Sequence, residues 1–442
     1  MDRRRTAVWT LAALLAAAIA RAPALSQAGG PPPSVVVGAA GDIACDPGDP
    51  SYNGGAGTVT ACRMAATSDL LLSLAPAAVL ALGDNQYENG ALAKYNASYG
   101  PSWGRLKAIT HPIPGNHEYL TAGAAGYFAY FGAAAGTAGQ GWYSADLGGW
   151  HLVGLNANCA AVGGCDATSP QGQWLATDLA AHPGVCTLAF WHHPRFSSGP
   201  HGNDPTVAPF WEALWAAGAD LVLNGHDHIY ERFAPQRPDG MADANGLRQF
   251  TAGTGGKVLT MIAAVQPNSE ARQAASFGVL ELALYPNGYE WRFVPLPGSA
   301  FADAGAAFCH SAAPPPAADF YTLDPPCRLA DTRESAGPTG GPALAAGVTR
   351  AFPAAGACGV PAAATAVAAN LTVLVPDRAG HVSAFPWGTR YPGTATVSFN
   401  AGKNRANNAI VGLGVGGKLA VAAALPPGGT AHLVVDLFGY FR

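Results

Sequence analysis

Charged side chains are scarce in this sequence. Asp, Glu, Lys and Arg make up only 12% of the 442 residues, and the formal net charge at pH 7 is −4. No stripe of basic residues is present, so binding to nucleic acid or to an anionic membrane surface is not expected. The 56 glycines and 36 prolines indicate a fold rich in loops and exclude a helical bundle.

Two common catalytic and metal-binding signatures are also missing. The chain has no GxSxG sequence, which would mark a serine nucleophile, and no CxxC pair, which would mark a cysteine zinc site. A covalent serine mechanism and a thiolate zinc site are therefore not expected.

The N-terminal residues 1–28 are typical of a signal peptide. MDRRR supplies a positive start, Ala7 to Ala20 form an apolar stretch, and APALSQA supplies small residues suited to cleavage. The apolar stretch is short for a membrane span of about 20 residues. An uncleaved anchor is the alternative, and Arg4-Arg5 loosely matches a twin-arginine signal. We expect a secreted protein, extracellular or periplasmic, with no membrane span after the leader is removed.

The cysteines are even in number, as expected of disulfides in an exported chain. We expect Cys45–Cys62 and Cys327–Cys358 to close local loops and the remaining four to pair among themselves. Those four are Cys159, Cys165, Cys186 and Cys309.

A proline-rich stretch, SAAPPPAA from Ser311, is typical of a semi-rigid spacer. It separates a larger region, 34–311, from a smaller region, 319–442, with the linker at 312–318. In the smaller region VAANLTVLV, TATVSFNAG, NNAIVGLGV and AHLVVDLFGYF are short, β-rich and separated by turns. These runs predict an all-β sandwich.

In the larger region, short apolar runs end abruptly in polar residues. The runs are SVVVGAAGD, AAVLALGDNQY, AITHPIPGNHE, CTLAFWHH and ADLVLNGHDH. Such runs are typical of strands buried on both faces. Helices are predicted between them over 65–74, 171–181 and 206–217, so an α/β layered fold is expected. Ligand-binding groups in such folds gather beyond the carboxyl ends of the strands, where the polar clusters could converge on one site.

The polar residues at these strand ends are metal-ligand types. Alone, an Asp at a strand end is more often a helix cap, and a buried His is usually only hydrogen-bonded. Their joint occurrence in order favours a metal site, because carboxylate, amide oxygen and imidazole suit iron, zinc and manganese. A shared carboxylate can bridge two such ions. The residues are Asp42, Asp84, Asn116-His117, His192 and His226-Asp227-His228.

This ordered set resembles the calcineurin-like metallophosphoesterase superfamily, over roughly residues 36 to 300. The resemblance implies a layered β-sandwich flanked by helices. Many members place a histidine two residues after the first aspartate, where this chain has Ala44. The GDxxY arrangement with Tyr87 resembles the purple acid phosphatase branch, in which the tyrosine binds ferric iron. A phenolate at Tyr87 would fill the coordination gap left at Ala44 and favour a trivalent ion.

By that resemblance, two metals share one carboxylate. Asp42, Asp84, Tyr87 and His228 would hold the ferric ion. Asp84 would bridge to a divalent ion (zinc, iron or manganese) held by Asn116, His192 and His226. The chain departs from the purple acid phosphatase pattern at two positions. That branch usually has glycine where this chain has Ala44 and valine where it has Ala189.

Other residues near these ligands in the sequence are also assigned roles. In the family that the chain resembles, the ligand stands two residues before a proline. The resemblance therefore favours His192, before Pro194, as the ligand and leaves His193 as a structural or neighbouring residue. His117 and His201 are candidates to bind the phosphate or protonate the leaving group, although His201 could be a loop histidine without a role. Arg195 could face the anion, but an exposed salt bridge is the simpler interpretation. Trp191 and Trp211 are expected to pack in the core.

The resemblance implies hydrolysis of small phosphate monoesters, in which a metal-bound hydroxide attacks phosphorus in line with the leaving group. The alternatives are a phosphodiesterase or nucleotidase with the same metals, and a surface-binding protein whose phosphoesterase domain is inactive. The smaller region resembles a β-domain found at the ends of secreted bacterial proteins. It could bind a surface polymer or serve only as a stabilising appendage.

Overall fold

The computed structural model describes residues 34–310 and 318–442. The predicted signal peptide, 1–28, and all of the predicted linker except its last residue lie outside these ranges. Within them, no helix combines the length and the apolar character needed to cross a membrane.

Strands of the larger region form a six-stranded and a seven-stranded sheet. In chain order they are β1 (Val35–Ala40), β2 (Ala78–Leu82), β3 (Thr110–Ile113), β4 (Tyr143–Leu147), β5 (Trp150–Gly154), β6 (Thr187–Phe190), β7 (Leu221–Asn224), β8 (Tyr230–Phe233), β9 (Arg248–Ala252), β10 (Ser269–Gln273), β11 (Gly278–Tyr285), β12 (Gly288–Pro295) and β13 (Ala304–Phe308). The five apolar runs singled out in the sequence correspond to β1, β2, β3, β6 and β7.

The helices of this region are short. They are α1 (Met64–Leu74), α2 (Leu92–Lys94), α3 (Ala125–Phe131), α4 (Pro170–Ala181) and α5 (Ala208–Ala216), with a π turn at Tyr95–Tyr99 and 3₁₀ turns at Asn53–Gly55, Trp103–Ile109, Glu118–Leu120, Ala122–Ala124, Gly132–Ala135, Cys159–Ala161 and Pro205–Val207. The three predicted helices are α1, α4 and α5. Ser169 caps α4 by accepting a hydrogen bond from Gly172 N, with Pro170 in the first turn. Asp204 caps the 3₁₀ turn before α5, so that helix begins at Ala208 and not at 206.

The two sheets face each other. The first has the order β13-β12-β11-β1-β2-β3 and the second β10-β8-β9-β7-β6-β5-β4. Strands β1 to β3 run parallel, and so do β5, β6, β7 and β9. Side chains alternate across a strand, so Leu80 and Leu82 join the core between the sheets while Val79 and Ala81 pack under α1. The predicted layered sandwich is confirmed.

The smaller region is an all-β sandwich, as predicted. Its sheets have the orders β14-β22-β17-β20, with β15 paired to β22, and β16-β21-β18-β19 around one core. The strands are β14 (Phe320–Asp331), β15 (Leu344–Ala345), β16 (Thr349–Pro353), β17 (Ala366–Leu374), β18 (Gly380–Pro386), β19 (Val397–Phe399), β20 (Arg405–Gly412), β21 (Lys418–Ala424) and β22 (Thr430–Phe441), with a 3₁₀ turn at Val415–Gly417.

One carboxylate connects the two regions. Glu290 on β12 accepts hydrogen bonds from Lys418 Nζ at 2.6 and 2.7 Å and from Trp387 Nε1 at 2.6 Å. Lys418 and Trp387 both belong to the smaller region, so this contact fixes where β21 meets β12.

All eight cysteines form disulfides. The pairs are Cys45–Cys62, Cys159–Cys165, Cys186–Cys309 and Cys327–Cys358. The two predicted local pairs are present, and the other four cysteines pair among themselves as expected. Cys186–Cys309 joins residues 123 positions apart, linking the start of β6 to the end of β13.

A buried histidine on β5 contacts carboxylates on β4 and α4. Buried His151 contacts Asp178 through Nε2 at 2.7 Å and Asp146 through Nδ1 at 3.0 Å, and its ring stacks on His182 at 3.7 Å. Burial opposes protonation, but the two carboxylates outweigh it and raise the pKa of His151 above its ordinary value. The cluster is therefore a pH-sensitive contact of β5 with β4 and α4.

Candidate metal centre

The predicted ligands converge because their strands end at a common edge. Asp42 follows β1, Asp84 follows β2 and Asn116 follows β3, all from the first sheet. His192 follows β6 and His226 follows β7, both from the second sheet. The carboxyl ends of two parallel sets of strands thus meet at one site.

Tyr87 lies at the centre of one half of the site. Its hydroxyl oxygen is 2.9 Å from Asp42 Oδ1, 3.1 Å from Asp84 Oδ2 and 3.0 Å from His228 Nε2. His228 Nε2 is also 3.2 Å from Asp42 Oδ1. Donors from three separate parts of the sequence therefore surround the Tyr87 hydroxyl oxygen.

Asp84 connects this half to the other. Its Oδ2 atom, besides contacting Tyr87, is 3.2 Å from His192 Nε2. The His192 ring lies 5.0 Å from the ring of His226, and the His193 ring lies 4.4 Å from it. The position of Asp84 between two donor groups is that of a bridging carboxylate.

Two histidine rings are oriented by main-chain oxygens. His192 Nδ1 bonds to Leu82 O at 2.8 Å, and His228 Nδ1 bonds to Val258 O at 2.6 Å. Each bond leaves Nε2 directed into the site, which is the arrangement that metal-binding histidines use.

The donor set fits a pair of metal ions. Asn116 Oδ1 is buried without a hydrogen-bond partner among the described residues. His192 Nε2, although near Asp84, also makes no hydrogen bond. Buried polar atoms are rarely left unpaired, and oxygens with imidazole nitrogens suit iron, zinc and manganese. Asn116 Oδ1 and His192 Nε2 are therefore suited to bind a metal cation.

The ionisable groups of the site have strongly shifted pKa values. Burial raises the pKa of Tyr87 well above its ordinary value, and the charges of Asp42 and Asp84 raise it further. Burial would also raise the pKa of Asp84, but His192 and His117 beside it hold it well below its usual range. His192 in turn has its pKa raised to about 9, since Asp84 outweighs burial. Two cations would replace these protons as the balancing charge.

The backbone at the ligands is strained. Asp42, Asp84 and His226 have φ values of 60°, 45° and 72°, in the left-handed region that residues with a Cβ seldom adopt. Such conformations persist where surrounding structure enforces them, and they concentrate at functional sites.

Close packing behind the ligands requires glycine. A Cβ on Gly115 would lie 2.1 Å from Asp84 Oδ1, and one on Gly83 would lie 2.6 Å from His192 Nδ1. Glycine precedes each ligand cluster except His192 in the sequence, as Gly41, Gly83, Gly115 and Gly225. That regularity is a signal the sequence analysis did not use.

Two further buried carboxylates, Glu118 and Asp227, support the site. Glu118 was not predicted, and neither was the supporting role of Asp227. Glu118 accepts hydrogen bonds from Gly115 N at 2.7 Å, Gln86 N at 3.1 Å and Tyr95 Oη at 3.0 Å, so it joins the loops after β2 and β3. Burial, together with the charge of Asp84, raises its pKa to about 7.

The second is Asp227, between the two histidines of the GHDH sequence. It accepts hydrogen bonds from His201 N at 3.0 Å, from His201 Nδ1 at 2.9 Å and from the Ser197 hydroxyl. The bond to Nδ1 raises the pKa of His201. The charged residue within the GHDH sequence is therefore the anchor of a loop histidine.

His201 and His117 lie on the open side of the site. The His201 side chain is 51% exposed, and its ring lies 4.1 Å from that of His226. His117 lies 4.3 Å from the Tyr87 ring, with Nε2 at 3.9 Å from Asp84 Oδ2. Both predicted phosphate-facing histidines are therefore beside the ligands.

The remaining predicted residues lie as follows. His193 has a buried Nδ1 without a partner, and burial beside His192 lowers its pKa to about 4. Arg195 stacks on the Phe196 ring at 4.6 Å and forms no ion pair in the described part of the chain, so the expected salt bridge is absent there. Trp191 and Trp211 are buried in the core.

Comparison with known proteins gives a consistent relationship. Residues 39–230 match the calcineurin-like phosphoesterase family. Purple acid phosphatase 15 of Arabidopsis thaliana is 31% identical over 199 residues, covering 37% of this chain and 37% of that protein. Purple acid phosphatase 22 of the same plant is 33% identical over 149 residues, covering 31% and 32%. The chain thus spans about a third of the length of these curated relatives.

A solved structure has the same fold. The purple acid phosphatase PPD1 from yellow lupin (Lupinus luteus) seeds aligns with a TM-score of 0.53 at 18% identity, covering 63% of this chain and 54% of that chain. Residues 39–230 are therefore similar to the calcineurin-like phosphoesterase family, and part of the chain is similar to purple acid phosphatases.

Proposed function

We propose that this chain is a secreted, dinuclear metal-dependent phosphatase that hydrolyses small phosphate monoesters. The similarity of part of the chain to purple acid phosphatases supports a dinuclear metal centre. The observation that carries the proposal is the position of Asp84, whose Oδ2 atom lies 3.1 Å from Tyr87 Oη and 3.2 Å from His192 Nε2.

Two sets of ligands follow from that position. Asp42, Tyr87 and His228 with Asp84 would hold ferric iron, because two carboxylates and a phenolate match a hard trivalent ion. Asn116, His192 and His226 with Asp84 would hold a divalent ion, either zinc, iron or manganese. When bound, the pair supplies an activated water near neutral pH and neutralises the phosphate.

The protein's own groups would complete the reaction. His117 and His201 lie on the exposed side and would hydrogen-bond the phosphate oxygens. Asp227 holds His201 Nδ1, which leaves Nε2 free to donate a proton to the departing alkoxide. Glu118 would keep Asn116 in place through Gly115 N.

The domain division and the export of the chain belong to this proposal. Residues 34–311 would form the catalytic domain, 312–318 a linker and 319–442 an accessory domain that can bind a surface polymer. Four disulfides support an oxidising compartment, and a signal peptide at 1–28 would direct the chain there.

The test combines metal analysis with two substrates. Purified protein should contain two metal equivalents, one of them iron, and should hydrolyse p-nitrophenyl phosphate faster than bis(p-nitrophenyl) phosphate. Faster hydrolysis of the diester would instead support a phosphodiesterase or nucleotidase. No hydrolysis by metal-loaded protein over a broad pH range would leave an inactive, surface-binding protein.

Tyr87→Phe tests the iron assignment directly. The wild type should show a visible tyrosinate-to-iron absorption band, and the variant should lose it while keeping its circular dichroism spectrum. Tyr127→Phe is the matched control, since Tyr127 is also buried but its hydroxyl donates to Pro112 O. A band that survives in Tyr87→Phe would refute ferric coordination by this residue.

A further inference from the structure

Residues 258–265, which we call the apolar rim, form an unusual surface segment. Its sequence is VLTMIAAV, in which only Thr260 is polar. The segment contains no helix and no named strand. Val258, Met261 and Val265 are 38%, 63% and 54% exposed. An apolar run of this length is normally buried, and contiguous apolar surface usually marks a contact site.

Two hydrogen bonds attach the start of the apolar rim to His228, one through its side chain and one through its backbone. His228 Nδ1 bonds to Val258 O at 2.6 Å, and Thr260 N donates to His228 O at 3.1 Å. The first three residues of the rim therefore lie beside the half of the site that contains Tyr87.

The end of the apolar rim is attached to the loop that carries His201. Ala263 N donates to Ser198 O at 2.8 Å, and Gln266 N donates to Ser198 Oγ at 2.9 Å. Because the backbone is bonded to the site at both ends, the rim spans the distance between His228 and the His201 loop.

We propose that the apolar rim binds the alcohol portion of the substrate, and that the preferred substrates are phosphate monoesters of apolar alcohols, alkyl or aryl. This inference rests on the proposed function. A phosphate held by the metal ligands and His201 would direct its ester group outward, along the wall beside it. The rim is continuous with the site at both ends and carries no charge from Val258 to Val265. A sugar or nucleotide hydroxyl would find few partners there, whereas a methylene chain would be shielded from water.

Binding of alkylphosphonates tests this without requiring hydrolysis, since their carbon–phosphorus bond is stable. Dissociation constants for the metal-loaded protein would be measured by calorimetry for ethyl-, butyl-, hexyl- and octylphosphonate. Full burial of a methylene changes affinity up to about fourfold, so one-sided contact should give about twofold per methylene. From butyl to octyl the affinity should rise about 16-fold.

The double variant Met261→Ser/Val265→Ser should flatten this rise to less than about fourfold while leaving ethylphosphonate binding unchanged. Ile410→Ser is the matched control, because Ile410 is 69% exposed on β20 in the smaller region and should keep the wild-type slope. Equal affinity along the series in the wild type would overturn the proposal, and so would an unchanged slope in the double variant. If the slope is present but no phosphate ester is hydrolysed, the phosphatase proposal fails, and binding of apolar chains by the rim is what stands.

Discussion

Gly115→Ala should disable the metal centre through a single carbon atom. Gly115 has a φ that any residue can adopt, so the substitution adds no backbone strain of its own. The new Cβ would lie 2.1 Å from Asp84 Oδ1 and 2.3 Å from Asp84 N. Those separations are more than about 1 Å short of van der Waals contact, and one of the two atoms is backbone that cannot rotate away.

The carboxylate of Asp84 must therefore move by about 1 Å. Metal ligands tolerate about 0.2 Å of misplacement, and a 1 Å shift near the chemistry can cost about 100-fold in rate. We expect less than one metal equivalent by elemental analysis and a loss of at least about 100-fold in kcat/KM for p-nitrophenyl phosphate.

Gly337→Ala is the control for this prediction, since a Cβ there would meet nothing within 4 Å and Gly337 lies in the smaller region. It should retain full metal content and rate. Two metal equivalents and near wild-type activity in Gly115→Ala would show that Asp84 is not the shared ligand.

Three other perturbations address separate parts of the molecule. Asp227→Asn should lower kcat about 10- to 100-fold while the metal content stays full. The loss should be larger for alkyl than for p-nitrophenyl esters, because only a poor leaving group needs the proton from His201. An equal loss of kcat for both kinds of ester would exclude proton donation. The pKa of His151 is raised in the folded state. Its contribution to stability is therefore full below the unfolded pKa of 6.5 and is lost as pH rises through the raised value. The free energies of unfolding of wild type and His151→Gln should differ more at pH 5.5 than at pH 9, and a difference that does not change with pH would contradict the assignment. Glu290→Gln should weaken the contact of the two regions by about 1–2 kcal/mol. Calorimetry should show this as earlier unfolding of the smaller region. An unchanged unfolding profile would mean that Lys418 contributes little to the contact.

The strands and the ligands were predictable because they share one sequence pattern. A buried strand must end where its apolar run ends, and in this fold each such end faces the site. The five runs from Val35 to Asn224 therefore indicated both the central strands and the groups that follow them. The α4 and α5 helices were predicted from their place between the apolar runs, with the start of α5 displaced by the Asp204 cap.

Other elements depend on contacts that the sequence does not display. Strand β21 has the sequence KLAVAAA, and alanine favours helices, yet burial between β16 and β18 imposes a strand. Strands β11 to β13 continue the first sheet beyond β1 and carry no site residue. They were not predicted from the sequence. The support from Glu118 and Asp227 could not be inferred from spacing, because each acts through partners distant in sequence.

The origin of the ligands in two different sheets has a consequence for folding. Asp42, Asp84 and Asn116 extend from one sheet, while His192 and His226 extend from the other. Any ion held between them would cross-link the two sheets, so its binding free energy would add to the stability of the whole larger region. Free metal at 1,000 times its dissociation constant would contribute about 4 kcal/mol. A shortage of metal would then lower the stability of the protein and shorten its lifetime, in addition to removing its activity.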